Sequence, residues 1–445
     1  MAALHITVSL EEQPLVNSFN KVFLGAAGSG GSSYFITYTG TSGNENGGQV
    51  NQDSSGNYYQ NVSVPTANYI GPGYIKYNKD GGIIATGALS PSVGNVYAYN
   101  SALVDGSGNI FLLGTYNYGS GQLRNYATKL NSSNVVQWQK SFGANYMNMS
   151  NGVIDSNGNI YFSGFANSDP NDPGSYTMYL IKLNTNGGIV WQKYFGTSLD
   201  DRPGALGIDS SDNLYLSGYD DGERGHHCKI NSSGALQWQR ETGQVNLWDG
   251  LGVSPGGSQL TCGRNITNNL ATGLISLYNT SGSLQWSRKI SSGSTQVHGQ
   301  RAAFDSAGNV YAMLQLYTSP NLGIMIKFNS SGTVQWQRSF AVPNVNMGPP
   351  SITIDSNDDI ILGRSGPYGG AGGNEIMFAK LPPDGSGTGQ YGNLIYASAS
   401  LTVANTGTGD TGGNQLFNNT GFGSSDITNI GSNVSKSYSQ TSYSL

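Results

Sequence analysis

Apolar residues along this chain fall in short runs of four to six, separated by clusters of Gly, Asn, Asp and Ser. Runs of that length bounded by turn formers read as β-strands joined by tight turns. The runs are organised by a recurring phrase: DGSGNIFLLG (Asp105 to Gly114), DSNGNIYFSG (Asp155 to Gly164) and DSSDNLYLSG (Asp209 to Gly218). Asp53 to Asn57, Asp305 to Asn309 and Asp355 to Asp359 match its opening, and SPGGSQLTCG (Ser254 to Gly263) is a degraded copy, making seven. A second phrase alternates with the first. Lys129-Leu130-Asn131 is followed by Trp138, Lys182-Leu183-Asn184 by Trp191, Lys229-Ile230-Asn231 by Trp238, and Lys327-Phe328-Asn329 by Trp336. Leu277-Tyr278-Asn279 with Trp286, Lys76-Tyr77-Asn78 with Ile83-Ile84, and Lys380-Leu381 with Leu394-Ile395-Tyr396 bring this phrase to seven copies too.

A period of roughly 50 residues with four strands per period is the spacing of propeller blades. In the third copy the strands are expected at 152–155, 159–164, 178–183 and 189–193, an inner, second, third and outer strand of an antiparallel meander. Their nearly continuous apolar character fits sheets covered on both faces, as neighbouring blades would cover them, with only the outer strand leaving an edge. The Asp of the first phrase is placed to accept backbone N–H groups further along its turn, and the Gly to take positive φ; Asn-Ser-Ser-Gly repeats the device between third and outer strands. The recurring Trp reads as packing. The expected fold is therefore all-β, a seven-bladed β-propeller of four-stranded antiparallel blades with N- and C-terminal extensions: an arm over 1–46, partly β, the propeller over 47–400, and a Gly/Ser/Asn-rich arm over 401–445. The segment from Ser33 through Tyr34, Phe35, Ile36, Thr37, Tyr38 and Thr39 to Gly40 is a candidate strand for completing the last blade. Over about 47–400 the alternation resembles the bacterial β-propeller repeat family, which implies the fold and leaves function open.

Composition narrows the classes. Gly (65) and Pro (15) are abundant while charged residues make up 11%, against about 25% in an average protein. With 27 Tyr, 14 Phe and 6 Trp, the chain does not have the low-hydrophobicity, high-charge signature of disorder. A net charge of −5 leaves no basic footprint for nucleic acid, and no run of about 18 apolar residues exists to span a bilayer. The opening residues lack a cationic start and an unbroken apolar block, so synthesis in a cytoplasm without a signal peptide is expected. Cys228 and Cys262 read as buried thiols.

In such a meander the inner-to-second and third-to-outer turns share one face, which here is tight and repetitive. The opposite face carries the longer, unlike loops, where binding residues concentrate. The candidate ligand-binding residues on it are Tyr116, Tyr118, Tyr146, Tyr176, Asp200, Asp201, Arg202, Trp248, Arg264, His298 and Tyr368, with Tyr126 beside them. Tyr among adaptable polar residues suits protein and glycan recognition; the competing reading packs some of these rings between blades. No catalytic residues, metal or cofactor are expected. His226 and His227 are neighbours on one strand and so point to opposite faces, and the loop around Asp169 and Asp172 has too few oxygen ligands for calcium. No Gly-x-Ser-x-Gly elbow, His-Glu-x-x-His pair or phosphate loop occurs. The phrase around each Trp also looks like the tryptophan-docking repeat of quinoprotein dehydrogenases, a family with eight blades and an adjacent cysteine pair, neither of which is present.

A signal-less, non-enzymatic propeller with a Ser/Thr/Asn/Gly-rich surface and two arms looks like a bacteriophage virion component, whether tail, fibre or capsid decoration. Its partners would be other virion proteins, met through the arms, and a host-surface glycan or protein, with many copies per particle and no nucleic acid or membrane insertion. Location in a virion is the leading expectation. A bacterial cell-surface or extracellular propeller binding glycans or proteins is the alternative, and a quinoprotein-type enzyme the third.

Overall fold

The protein's structure, a computed structural model, describes residues 21–24, 34–39, 46–65, 70–90, 96–117, 123–142, 147–169, 172–196, 200–221, 224–242, 245–267, 270–368, 374–406, 423–426 and 439–442. Its elements are all strands, joined by turns, in seven separate antiparallel sheets. The fold is a seven-bladed β-propeller, as the seven copies of both phrases lead one to expect. Blade three shows the plan: Met147–Ile154, Ile160–Asp169, Asp172–Leu183 and Ile189–Gly196 pair in chain order from inner to outer. Blades one, two, four, five and six repeat it, starting from the inner strands Asn46–Gln52, Val96–Val104, Asp201–Ile208, Val245–Val253 and Val297–Phe304. The hydrophobic core is divided among the interfaces between blades. Leu260, Cys262 and Ile275 of blade five, for example, pack with Val310, Ala312, Leu314 and Ile326 of blade six.

The turns use the recurring polar residues as their chemistry requires. Asp155 Oδ1 accepts the N–H groups of Asn157 (3.0 Å) and Asn159 (2.8 Å), and Gly158 takes φ of +77°, a region that side chains disfavour. In blades four and seven that left-handed position is held by Asp212 and Asp358. Each is held there by the preceding blade, where Ser156 donates its N–H and hydroxyl to the Asp212 carboxylate and Ser306 does the same to Asp358. The turn Asp has two further partners. Asp155 Oδ2 accepts the Tyr161 hydroxyl at 2.9 Å and lies 3.6 Å from Lys182 Nζ, which sits over the Tyr161 ring. Asp209, Tyr215 and Lys229, and then Asp305, Tyr311 and Lys327, repeat this trio.

The outer-strand tryptophans fasten each blade to the next. Their indole N–H groups donate to carbonyls in the third-to-outer turn of the following blade: Trp138 to Thr185, Trp191 to Ser232, Trp238 to Thr280, Trp286 to Ser330 and Trp336 to Pro383, at 2.9–3.3 Å. In blades four to six the arginine two residues on lies over the indole and donates to the same turn, Arg240 to Gly282, Arg288 to Gly332 and Arg338 to Gly385. The close approach requires glycine there: a Cβ at Gly332 would lie 2.7 Å from the Trp286 ring.

Blade seven is completed from the other end of the chain. Ser351–Ile354, Ile360–Gly366 and Glu375–Leu381 supply three strands, and Phe35–Thr39 pairs beside the last as the outer one. Phe35 stands opposite Lys380 just as Trp138, Trp191, Trp238 and Trp336 stand opposite Lys129, Lys182, Lys229 and Lys327. Its ring presses on Gly81 in the corresponding turn of blade one. The closing contact is thus the blade-to-blade contact used elsewhere, with Phe in place of Trp, and part of the expected N-terminal arm is ring. Leu394-Ile395-Tyr396, expected as blade seven's outer strand, belongs instead to Leu394–Ser398, which pairs with the outer strand of blade six. The place it was expected to fill is taken by Phe35–Thr39, and Pro382-Pro383 turns the chain away after the third strand.

Beyond blade six, three described C-terminal segments pair with the outer strands of other blades. Thr402–Asn405 pairs with the outer strand of blade five, Gly423–Asp426 with that of blade three and Ser439–Ser442 with that of blade one. Gln337 pins the first crossing by accepting the Leu401 N–H at 2.7 Å and donating to the Leu401 carbonyl at 3.0 Å. Lys21–Leu24 covers the closing strand of blade seven. Among the described residues, only blades two and four keep four strands.

Candidate functional site

The carboxylates of the tight face are occupied by the fold. Burial alone would raise the pKa of Asp209, but hydrogen bonds from Asn213, Tyr215 and Ser211 outweigh it and hold the group below the usual carboxylate range. The opposite face, with the second-to-third and outer-to-inner connections, is where side chains remain for a ligand.

There the candidate residues separate. Tyr116 and Tyr126 are both 1% exposed and pack in the core between blades one and two. Tyr368, also 1% exposed, is stacked on Tyr38 of the closing strand at 4.8 Å. These three rings are packing groups, out of a ligand's reach, because the ends of the second and third strands are still wedged between blades at that height. Trp248 lies in the inner strand of blade five, within the irregularity between Asn246 and Gly250. Tyr118 and Tyr146 lie outside the described residues, as does the loop between Asp169 and Asp172. His298 and Arg264 come together across blades five and six; burial, with a smaller contribution from the Arg264 charge, pushes the His298 imidazole down to about 4.

Tyr176, Asp200, Asp201 and Arg202 are brought together where blades three and four meet. Asp200 Oδ1 accepts the Tyr176 N–H at 2.9 Å, and the Asp200 carbonyl accepts the Asp221 N–H at 3.0 Å, joining three connections. Arg202 is exposed, and its guanidinium lies 5.1 Å from the Tyr176 ring centre and 5.8 Å from that of Phe165. Those rings meet edge to face at 5.2 Å. Directly beneath is a network of charges, its carboxylates buried and Arg224 reaching the surface. Asp201 is fully buried and paired across the sheet with Asp220, whose Oδ2 lies 2.6 Å from Arg224 Nη2 and 3.1 Å from His226 Nε2. Arg224 Nη1 in turn lies 3.7 Å from Glu241 Oε2. Burial would raise the Asp220 pKa, but the hydrogen bonds from His226 and Arg224 prevail and lower it.

Sequence reasoning missed Phe165, Asp220, Arg224 and Glu241 here. A signal for part of this was present, since Asp220-Asp221-Gly222-Glu223-Arg224 is a dense charge run in a chain with 11% charged residues. The two neighbouring histidines do face apart: His226 joins Asp220, while His227 Nδ1 is 2.9 Å from Gln259 Oε1 of blade five and its ring lies 4.4 Å from that of Tyr278.

His227 makes the protein's stability pH-dependent. Burial pushes its imidazole down to about 4, so the unfolded chain takes up a proton near pH 6.5 that the folded chain refuses. Stability should be full above about pH 6.5 and fall as pH drops toward about 4, by roughly 2–3 kcal/mol from this group. Urea unfolding followed from pH 7.5 to 4.5 checks it, with His227→Gln expected to remove this group's share of the fall and leave the share of His298.

No family model and no curated protein matches the chain. Among solved structures it is similar to puromycin hydrolase at 10% identity and a TM-score of 0.47, over 80% of this chain and 54% of that one. It is also similar to Sqt1 from Chaetomium thermophilum (12%, TM-score 0.42, 80% and 87%) and to dipeptidyl peptidase 4 from Porphyromonas gingivalis (11%, 0.38, 78% and 60%). The chain thus spans about half the length of puromycin hydrolase. Likeness this distant says nothing of activity.

Proposed function

We propose that the chain is a non-enzymatic binding and structural component of a bacteriophage virion, built on the bacterial β-propeller repeat and displaying its loop face for recognition. The observation that carries this reading is the treatment of the sheet edges. Open outer strands invite edge-to-edge association, and the danger grows when many copies are crowded on one particle. Here blades one, three, five, six and seven carry a fifth strand drawn from the chain's own terminal segments, a device that suits a component held at high local density. Attachment to neighbouring virion proteins would use the outer edges of blades two and four, which carry no fifth strand among the described residues. The non-enzymatic part is supported by the state of the reactive groups: burial pushes the Cys228 thiol up to about 12 and raises Cys262 further, and the tight-face aspartates are engaged in turns and ion pairs. A display platform of this kind gains strength from copy number, since linked weak sites bind together with high avidity. Immunogold labelling of native phage particles from the source, using antibody to the ring, tests the reading. Label at defined positions on the particle is expected; label confined to free protein overturns it.

A further inference from the structure

We infer that the junction of blades three and four binds a carboxylate-bearing sugar, with the Arg202 guanidinium as the carboxylate receptor. This rests on the recognition role proposed above and specifies its ligand class. Arg202 is exposed, and its interactions are with the faces of Phe165 and Tyr176, which restrict its planar fork without occupying the N–H donors. A guanidinium held in this way has already lost much of the freedom that binding would otherwise remove, and its geometry matches a carboxylate bidentately. The backbone beneath is fixed by the Asp220, Arg224 and His226 pairs, so the receptor stands on a rigid strand.

The surroundings decide between anions. Asp200 and exposed Asp221 are linked through the backbone beside Arg202, and Asp201 lies buried next to it. A phosphate ester, free sulfate or densely sulfated chain, carrying more negative charge than one carboxylate and offering mainly acceptors, would meet these carboxylates unfavourably. A uronic or sialic acid carries one negative charge for the arginine and hydroxyl donors for Asp200 and Asp221, and its apolar C–H groups suit the half-buried ring of Tyr176. Donor fork, acceptors and ring thus complement the three parts of an acidic sugar.

The test is titration calorimetry of the full chain with trigalacturonate, sialyllactose, the trigalacturonate methyl ester and dextran sulfate. Saturable binding of at least one of the two carboxylated sugars is expected, weakened roughly 10- to 100-fold by Arg202→Ala and nearly as much by Arg202→Lys, because a lysine lacks the fork. The thermal midpoint of both variants should match the parent, which separates lost recognition from lost folding. Equal binding of the ester, preference for dextran sulfate, unchanged affinity in Arg202→Ala, or no binding of either acid overturns the inference. Binding of a neutral sugar would overturn it while leaving the recognition role standing, and particle labelling reads the virion assignment independently.

Discussion

A chain that begins after Gly40 should fail to close its ring. The missing strand would take Phe35, Ile36 and Tyr38 from blade seven, all 1–4% exposed in the complete chain. Burial of side chains this size contributes about 2 kcal/mol each, on the order of 6 kcal/mol together, a large share of the roughly 5–15 kcal/mol that holds a domain folded. The loss would also leave Glu375–Leu381 as an open edge, so aggregation is expected alongside a lower unfolding midpoint. Point changes locate the cause. Phe35→Ala should cost about 3 kcal/mol, whereas Phe35→Trp should stay within about 1 kcal/mol of the parent, since Trp occupies the equivalent place in five other blades. If urea unfolding shows Trp and Ala equally damaging, Phe35 does not close the ring as a stand-in for tryptophan.

Loss of the Lys380 ammonium should be nearly as damaging. Lys380 is 3% exposed, with Nζ 3.0 Å from Asp359 Oδ2, 3.3 Å from Asp355 Oδ2 and donating to the Tyr58 hydroxyl at 3.3 Å. That hydroxyl donates in turn to Asp355 at 2.6 Å, tying blade seven to blade one. Blade seven is also where the asparagine seen at Asn57, Asn109, Asn159, Asn213 and Asn309 is replaced by Asp359, so one ammonium serves two buried carboxylates. Lys380→Met would leave both without it and is expected to destabilise by about 3–5 kcal/mol at neutral pH. Adding Asp359→Asn should recover a good part of that, because an asparagine can donate to the turn aspartate as it does in blade three. A double variant no more stable than Lys380→Met in thermal unfolding would show that the ammonium is not there to balance the extra carboxylate.

The parts of this fold that repeat are the parts the sequence discloses. Asp155 and Gly158 announce a turn by their own backbone chemistry, and seven such turns count the blades. What repetition cannot disclose is partnership at long range. Period-two patterning says which side of a strand is apolar, not which edge it will join, so Leu394-Ile395-Tyr396 reads as the next strand in order although it pairs with the blade before. Trp138 and its counterparts read as core, since the indole N–H reaches a carbonyl some 47 residues on. Within the candidate site, Asp200, Asp201 and Arg202 stand out as consecutive charges in a loop. Their aromatic backing is less visible, because Phe165 and Tyr176 acquire a role only when strands of blades three and four are set side by side.

The pairing of the C-terminal strands with earlier blades also has a consequence for the order of events during synthesis. Blade seven receives its fourth strand from residues made first, so the ring can shut as soon as Glu375–Leu381 has left the ribosome. The strands that then cross blades six, five, three and one arrive last and meet, in reverse, sheets made progressively earlier. Each can dock only on a blade that already exists, which makes the docking of these last strands a report that the ring has formed.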